Sequence, residues 1–196
     1  MGRVKQVDII LSNLCNDLVC TPSGYTPDLK DVKMEIELGK SEVEHAAHIG
    51  IRREIWNYEH KHAHKSIVVR TNGCAWEQNI VGAIGEVAVA KALGIYYDGE
   101  ANRKGQPDLG SRTEVRFSKM RSPSLIIRDK DDDDSVFILV SGGPFTSLPL
   151  KVTVHGWMLG KNGKKKKWLK SPGKLPPAYF VPIDKLKKMS SLPEVL

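Results

Sequence analysis

The stretch from Ala75 to Leu93, ending at Gly94, carries small residues at Gly82, Ala83, Gly85, Ala88, Ala90 and Ala92. It reads as a helix with a C′ glycine. Glycine inside a helix forfeits about 1 kcal/mol relative to alanine, so two of them in mid-helix imply that a neighbouring element or a ligand approaches the backbone closely. The prediction is a helix lying tight on a sheet.

The flanking periodicities supply the rest of that architecture. Met34, Ile36 and Leu38 alternate with Glu35 and Glu37 as in a half-buried strand. Ser41 followed by Glu44 is a capping-box signature, and Val43, Ala47, Ile51, Ile55 and Tyr58 form a stripe at helical spacing to about residue 62. After Gly94 the pattern changes to short strands, expected at 95–98, 113–118, 124–128, 136–141, 152–160, 165–169 and 179–181, with a late helix from Asp184. That order predicts an α/β chain of the α+β kind, a mixed sheet with flanking helices. At 196 residues the chain supports one well-buried core. Residues 1–33, with a short apolar stretch at Val7–Leu11 and a Pro/Gly/Asp-containing segment, read as an N-terminal extension to a single domain at 34–196. Its core is expected at about 74–142, with a basic hairpin and tail at 151–196.

Charge is unevenly distributed. The net charge is +7 and the pI about 9.3; ten lysines against Asp184 alone lie between Lys161 and Lys188, whereas Asp129 to Asp134 hold five aspartates and Lys130. This favours a polyanion partner. Cys15, Cys20 and Cys74 are an odd number at no ligand spacing, and no apolar stretch is long enough to span a bilayer. The expectation is a cytoplasmic protein with no membrane partner; a homo-oligomer stays open.

The chemistry-bearing segment is Gly85-Glu86 on the small-residue helix, then Pro107-Asp108-Leu109-Gly110, then Thr113-Glu114-Val115-Arg116. A helical glutamate, a Pro-Asp at a strand end and a Glu-x-basic on the next strand, in that order over about 70 residues, resemble the core of the PD-(D/E)xK nuclease superfamily. Gly85-Glu86-x-x-x-Ala90-Lys91-x-x-Gly94 and Pro177-Ala178-Tyr179-Phe180-Val181-Pro182 are also similar to a group of uncharacterised phage-type proteins, a resemblance that brings no activity.

The nuclease resemblance implies Mg²⁺- or Mn²⁺-dependent hydrolysis of phosphodiester bonds in DNA, with Asp108 and Glu114 as metal ligands, Glu86 supporting them or a second metal, and Arg116 on the scissile phosphate. Elementary chemistry agrees with those residue types, because Mg²⁺ takes hard oxygens from one or two carboxylates and keeps waters. With Leu109 to Arg112 as a four-residue hairpin loop, Asp108 is expected opposite Thr113, within reach of Glu114. Strand parity puts Glu114 and Arg116 on one face and Lys119 on the other. The sequence departs from the family at Arg116, where lysine is usual: arginine stays protonated, so it holds a phosphate but cannot act as a general base. The alternatives are a non-catalytic nucleic-acid-binding or regulatory module with a degenerate nuclease fold, or a phage-type factor that binds a host protein.

Val152 to Leu169 reads as a C-terminal β-hairpin closed at Asn162-Gly163, which places Trp157 opposite Trp168 and His155 opposite Lys170. Lys164, Lys165, Lys166, Lys167 and Lys170 are the expected nucleic-acid contacts, with the tryptophans either stacking on bases or forming a core pair. His60, His62 and His64 lack the further ligands a zinc site needs. The Asp129–Asp134 run places Asp134 and Val140 where a calcium loop needs glycine and glutamate, so it reads as an acidic turn between strands. No Gly-rich phosphate loop, serine-centred elbow or dinucleotide fingerprint is present.

Overall fold

A computed structural model describes residues 33–60, 75–99, 106–173 and 176–193, all within one compact unit, Val32–Leu196. Residues 1–32 of the N-terminal extension, His62, His64 and the three cysteines lie outside the described residues. The elements are β1 (Met34–Leu38), α1 (Lys40–Glu59), α2 (Ala75–Leu93), β2 (Thr113–Ser118), β3 (Ser124–Arg128), β4 (Val136–Gly142), β5 (Leu150–Leu159), β6 (Leu169–Lys170) and β7 (Ala178–Pro182). The fold is mixed α/β with two sheets. The first runs β1-β5-β4-β2, with β2 parallel to β4 and the other pairs antiparallel; the second is antiparallel, β3-β7-β6.

β4 explains the layering. Val136, Ile138 and Val140 enter the core under the helices, while Phe137 and Leu139 enter a second core with Leu125, Ile127, Met158, Trp168 and Val181. A strand buried on both faces is expected to be continuously apolar, as Val-Phe-Ile-Leu-Val is. The layers are therefore helices, first sheet, second sheet. Among the described residues no helix is long and apolar enough to cross a membrane.

α2 lies on the first sheet as its glycines predict, but only Gly85 makes the close approach: a Cβ there would stand 3.0 Å from Phe117 Cδ2 and 3.4 Å from Val115 Cγ1. A Cβ on Gly82 would meet nothing within 4 Å among the described residues outside its own helix backbone and chain neighbours. The tightest crossing is made by α1, where a Cβ on Gly50 would lie 2.5 Å from the Ile80 backbone.

The buried face of α1 is Ala46, Ile49, Gly50 and Glu54, not the apolar stripe ending at Ile55 and Tyr58, both of which are exposed. The true face carries Glu54 and small residues, which a search for apolar periodicity passes over. Its start also differs from the Ser41/Glu44 expectation. Only Gly39 separates β1 from α1, so Gly39 is the N-cap and its N–H donates to the Glu42 carboxylate at 2.7 Å. Residues 95–98 form no strand; Tyr97 instead turns inward to Arg53 and Glu86.

The expected hairpin from Val152 to Leu169 does not form. Asn162-Gly163 sits in a helical turn, Gly160–Gly163, through which the chain leaves the first sheet, and residues 166–168 make a 3-10 turn before β6 joins β7 in the second. Trp157 pairs across to Ile138 and belongs to the helix-side core, whereas Trp168 belongs to the inter-sheet core. Lys170 pairs with Ala178, and His155 meets Ser141 at 2.6 Å. Among the described residues the C-terminal strand pairing that replaces the expected hairpin is the short antiparallel β6–β7 pair. The late helix is reduced to 3-10 turns at Ile183–Lys185 and Met189–Ser191.

Candidate functional site

The site is organised by the open edge of β2. Leu109 and Thr113 exchange both backbone hydrogen bonds, at 3.0 and 3.1 Å, around a three-residue turn whose Gly110 takes φ 55°. Leu109, not Asp108, therefore opposes Thr113. The Arg112 carbonyl accepts from Val136 N at 2.8 Å, which fixes the phase of β2: the backbone groups of Glu114 and Arg116 face β4, and those of Val115 face the open edge. Asp108 Oδ2 accepts the Val115 N–H at 2.8 Å, taking the place of a missing strand neighbour.

Strand parity decides the rest. Val115 and Phe117 face α2, and Glu114 and Arg116 face the second sheet. Lys119 is on the helix side, paired with Glu77 of α2, as its parity predicts.

Glu86 projects from α2 on the helical side. It is 4% exposed and is held by Arg53 of α1, whose Nη1 and Nη2 donate to its two oxygens at 2.7 and 2.6 Å, and by the Tyr97 hydroxyl. Burial alone would lower the Arg53 pKa, but the hydrogen bonds and charge of Glu86 raise it well above its ordinary value. Burial and the Glu86 charge likewise push the Tyr97 hydroxyl up.

On the other side Arg116 donates to Glu114 at 2.9 Å and to Asp131, in the β3–β4 loop, at 3.2 Å, and its guanidinium lies 5.0 Å from the Phe137 ring centre. Burial works against its charge, but Glu114, Asp131 and Asp108 raise its pKa overall. Its Nε is buried without a hydrogen-bond partner among the described residues. Glu114 and Arg116 line a cavity of about 570 Å³ together with Arg112, Arg128, Lys130, Asp131 and Asp132.

Asp108 stands between the two groups. Burial, then the charges of Glu86 and Glu114, push its carboxyl up to about 7, against the lowering effects of the Val115 N–H and Arg116. The three carboxylates thus wrap around one strand edge, Glu86 on the helix side and Glu114 on the cavity side. Among the described residues no group of three or more histidine, cysteine, aspartate and glutamate side chains gathers closely enough to hold a metal ion.

Arg53, Tyr97 and Asp131 are the partners that sequence reasoning missed. Arg53 follows Ala46, Ile49 and Gly50 at helical spacing, which is the signal that would have found it. Asp131 carried no such signal, because its role depends on a loop reaching a neighbouring strand.

The lysine run divides. Lys164 is 16% exposed and tied to the acidic loop through Asp133 at 2.7 Å. Lys165, Lys166, Lys167 and Lys170 are exposed, with Lys165 and Lys167 over the Trp168 ring. No family model, curated protein or solved structure matches this chain.

Proposed function

We propose that the protein is a nuclease-like, Mg²⁺- or Mn²⁺-dependent phosphodiester hydrolase acting on DNA, with its site at the β2 edge. The observation that carries this reading is the charge balance there. Among the described residues Glu86, Asp108, Glu114 and Asp131 are opposed by the guanidinium groups of Arg53 and Arg116, two carboxylates more than guanidinium groups, and Asp108, pushed up first by burial, also meets the repulsion of Glu86 and Glu114. One divalent cation would relieve it. Asp108 and Glu114 are the residues that would hold the ion. Two carboxylates are sufficient for Mg²⁺, which keeps waters and takes substrate phosphate oxygens. When bound, the metal supplies Lewis-acid polarisation and an acidified water. Glu86, filled by Arg53 and Tyr97, contributes charge and holds the helix side of the site.

A second reading, a non-catalytic nucleic-acid-binding module, is favoured by Arg116. Both of its terminal nitrogens are engaged by protein carboxylates, so it offers a phosphate less than the family's lysine would.

Cleavage of plasmid and oligonucleotide DNA with metal titrated separates the two. The enzyme reading expects metal-dependent cleavage that disappears in Asp108→Ala and Glu114→Ala and is retained or raised in Arg116→Lys. Activity surviving in Asp108→Ala overturns the site. Inactivity of the wild type with DNA retained supports the binding module.

A further inference from the structure

Two oppositely charged runs meet on the second-sheet side. The β3–β4 loop supplies the aspartates, and the segment after β5 supplies Lys161 to Lys167. Their backbones are joined by Gly160 N to Ser135 O and Lys161 N to Asp133 O, both 2.9 Å. Their side chains are joined by Lys161 to Asp134 at 3.0 Å and Lys164 to Asp133 at 2.7 Å. Lys164 Nζ also donates to the carbonyls of Asp129 at 2.8 Å and Asp131 at 2.5 Å. Lys164 is a strut for the acidic loop, and the loop's carboxylates are partly neutralised from within the protein.

The neighbouring cations are left over. Arg128, Lys130, Lys165, Lys166 and Lys167 are exposed and have no carboxylate partner among the described residues. Lys130 lies between the two carbonyls that Lys164 holds, and Lys165 follows Lys164, so the two exposed lysines flank one contact. Arg128 and Lys130 also line the cavity that Glu114 and Arg116 line. Lys165 and Lys167 stand 5.4 and 4.9 Å from the Trp168 ring centre, which restrains their stems and reduces the entropy lost on gripping a phosphate.

We infer that a nucleic-acid strand leaves the Glu114–Arg116 cavity over Arg128 and Lys130 and continues across Lys165, Lys166 and Lys167, with Lys164 taking no phosphate. This rests on the nucleic-acid partner of the proposed function and adds the path.

The test is the salt dependence of binding by the full chain, read by fluorescence anisotropy in EDTA, with a single-stranded DNA oligonucleotide and its duplex as probes. Each phosphate contact contributes about 0.7 to the log-log slope for a single strand and about 0.9 for a duplex. Replacing Lys165, Lys166 and Lys167 with glutamine is therefore expected to flatten the slope by about 2 to 3, and Arg128→Gln with Lys130→Gln by about 1.4 to 1.8. Lys164→Gln is expected to leave the slope unchanged and lower the Tm, because it removes the strut. An unchanged slope in either multiple variant, with wild-type binding intact, overturns the path alone. Loss of slope in Lys164→Gln equal to that of a single Lys165→Gln overturns the strut assignment. Wild type that binds neither probe at low salt overturns the nucleic-acid reading and the path together.

Discussion

Arg53 of α1 and Glu86 of α2 form a two-point ion pair at 2.7 and 2.6 Å, with side chains 21% and 5% exposed. It joins the two helices and places a fixed charge against Asp108.

Removing one member of such a pair strands the other charge in a low-dielectric setting. Arg53→Met is expected to destabilise the protein by about 3–5 kcal/mol, while Arg53→Met combined with Glu86→Leu recovers much of the loss. Urea unfolding of the single and double variants measures the coupling, and simple additivity would show that the pair carries no interaction energy.

The Asp108 carboxyl is shifted in the opposite direction from most native carboxylates. Its folded pKa, about 7, lies above the ordinary value of 3.8, so the fold favours the protonated form. In metal-free buffer its contribution is intact below about pH 4 and is lost as pH rises to about 7, by up to about 4 kcal/mol at roughly 1.4 kcal/mol per unit. Asp108→Asn, which keeps an acceptor for Val115 N, is expected to abolish that slope and to be more stable than wild type at pH 8. Thermal unfolding from pH 4 to 8 in EDTA checks both; a flat wild-type profile rejects the shift.

The helix glycines separate packing from propensity. Gly82→Ala meets nothing within 4 Å and is expected to stabilise by about 0.5–1 kcal/mol, because alanine is the better helix former. Gly50→Ala drives a Cβ to 2.5 Å from the Ile80 backbone and is expected to destabilise through helix separation. Denaturation midpoints with unchanged m-values would report both; equal shifts of the same sign would refute the distinction.

Much of the candidate site was legible because it depends on local parity. Glu114 and Arg116 share a face by strand alternation alone, and Lys119 falls on the other. Asp108 stands one residue away from its expected register, because sequence cannot distinguish a four-residue loop from the three-residue turn that Gly110 permits. The hairpin at Asn162-Gly163 failed for a related reason. That turn signal is local, yet Gly163 is packed against Ile127, Val181 and Met158, and the passage between sheets outweighs it.

The sequence by itself determined a helix from about Ser41 to residue 62, the helix at Ala75–Leu93, a strand at 136–141 and the charge segregation along the chain. Those features follow from 3.6- and 2-residue periodicity and from composition. Only the tertiary structure decided that Glu86 is filled by Arg53 and Tyr97, that Asp131 reaches Arg116, and that Lys164 braces an acidic loop. Each of those pairs is brought together across different elements by the burial of apolar faces. Which charges then become neighbours depends on how the layers stack, for which the chain carries no local code.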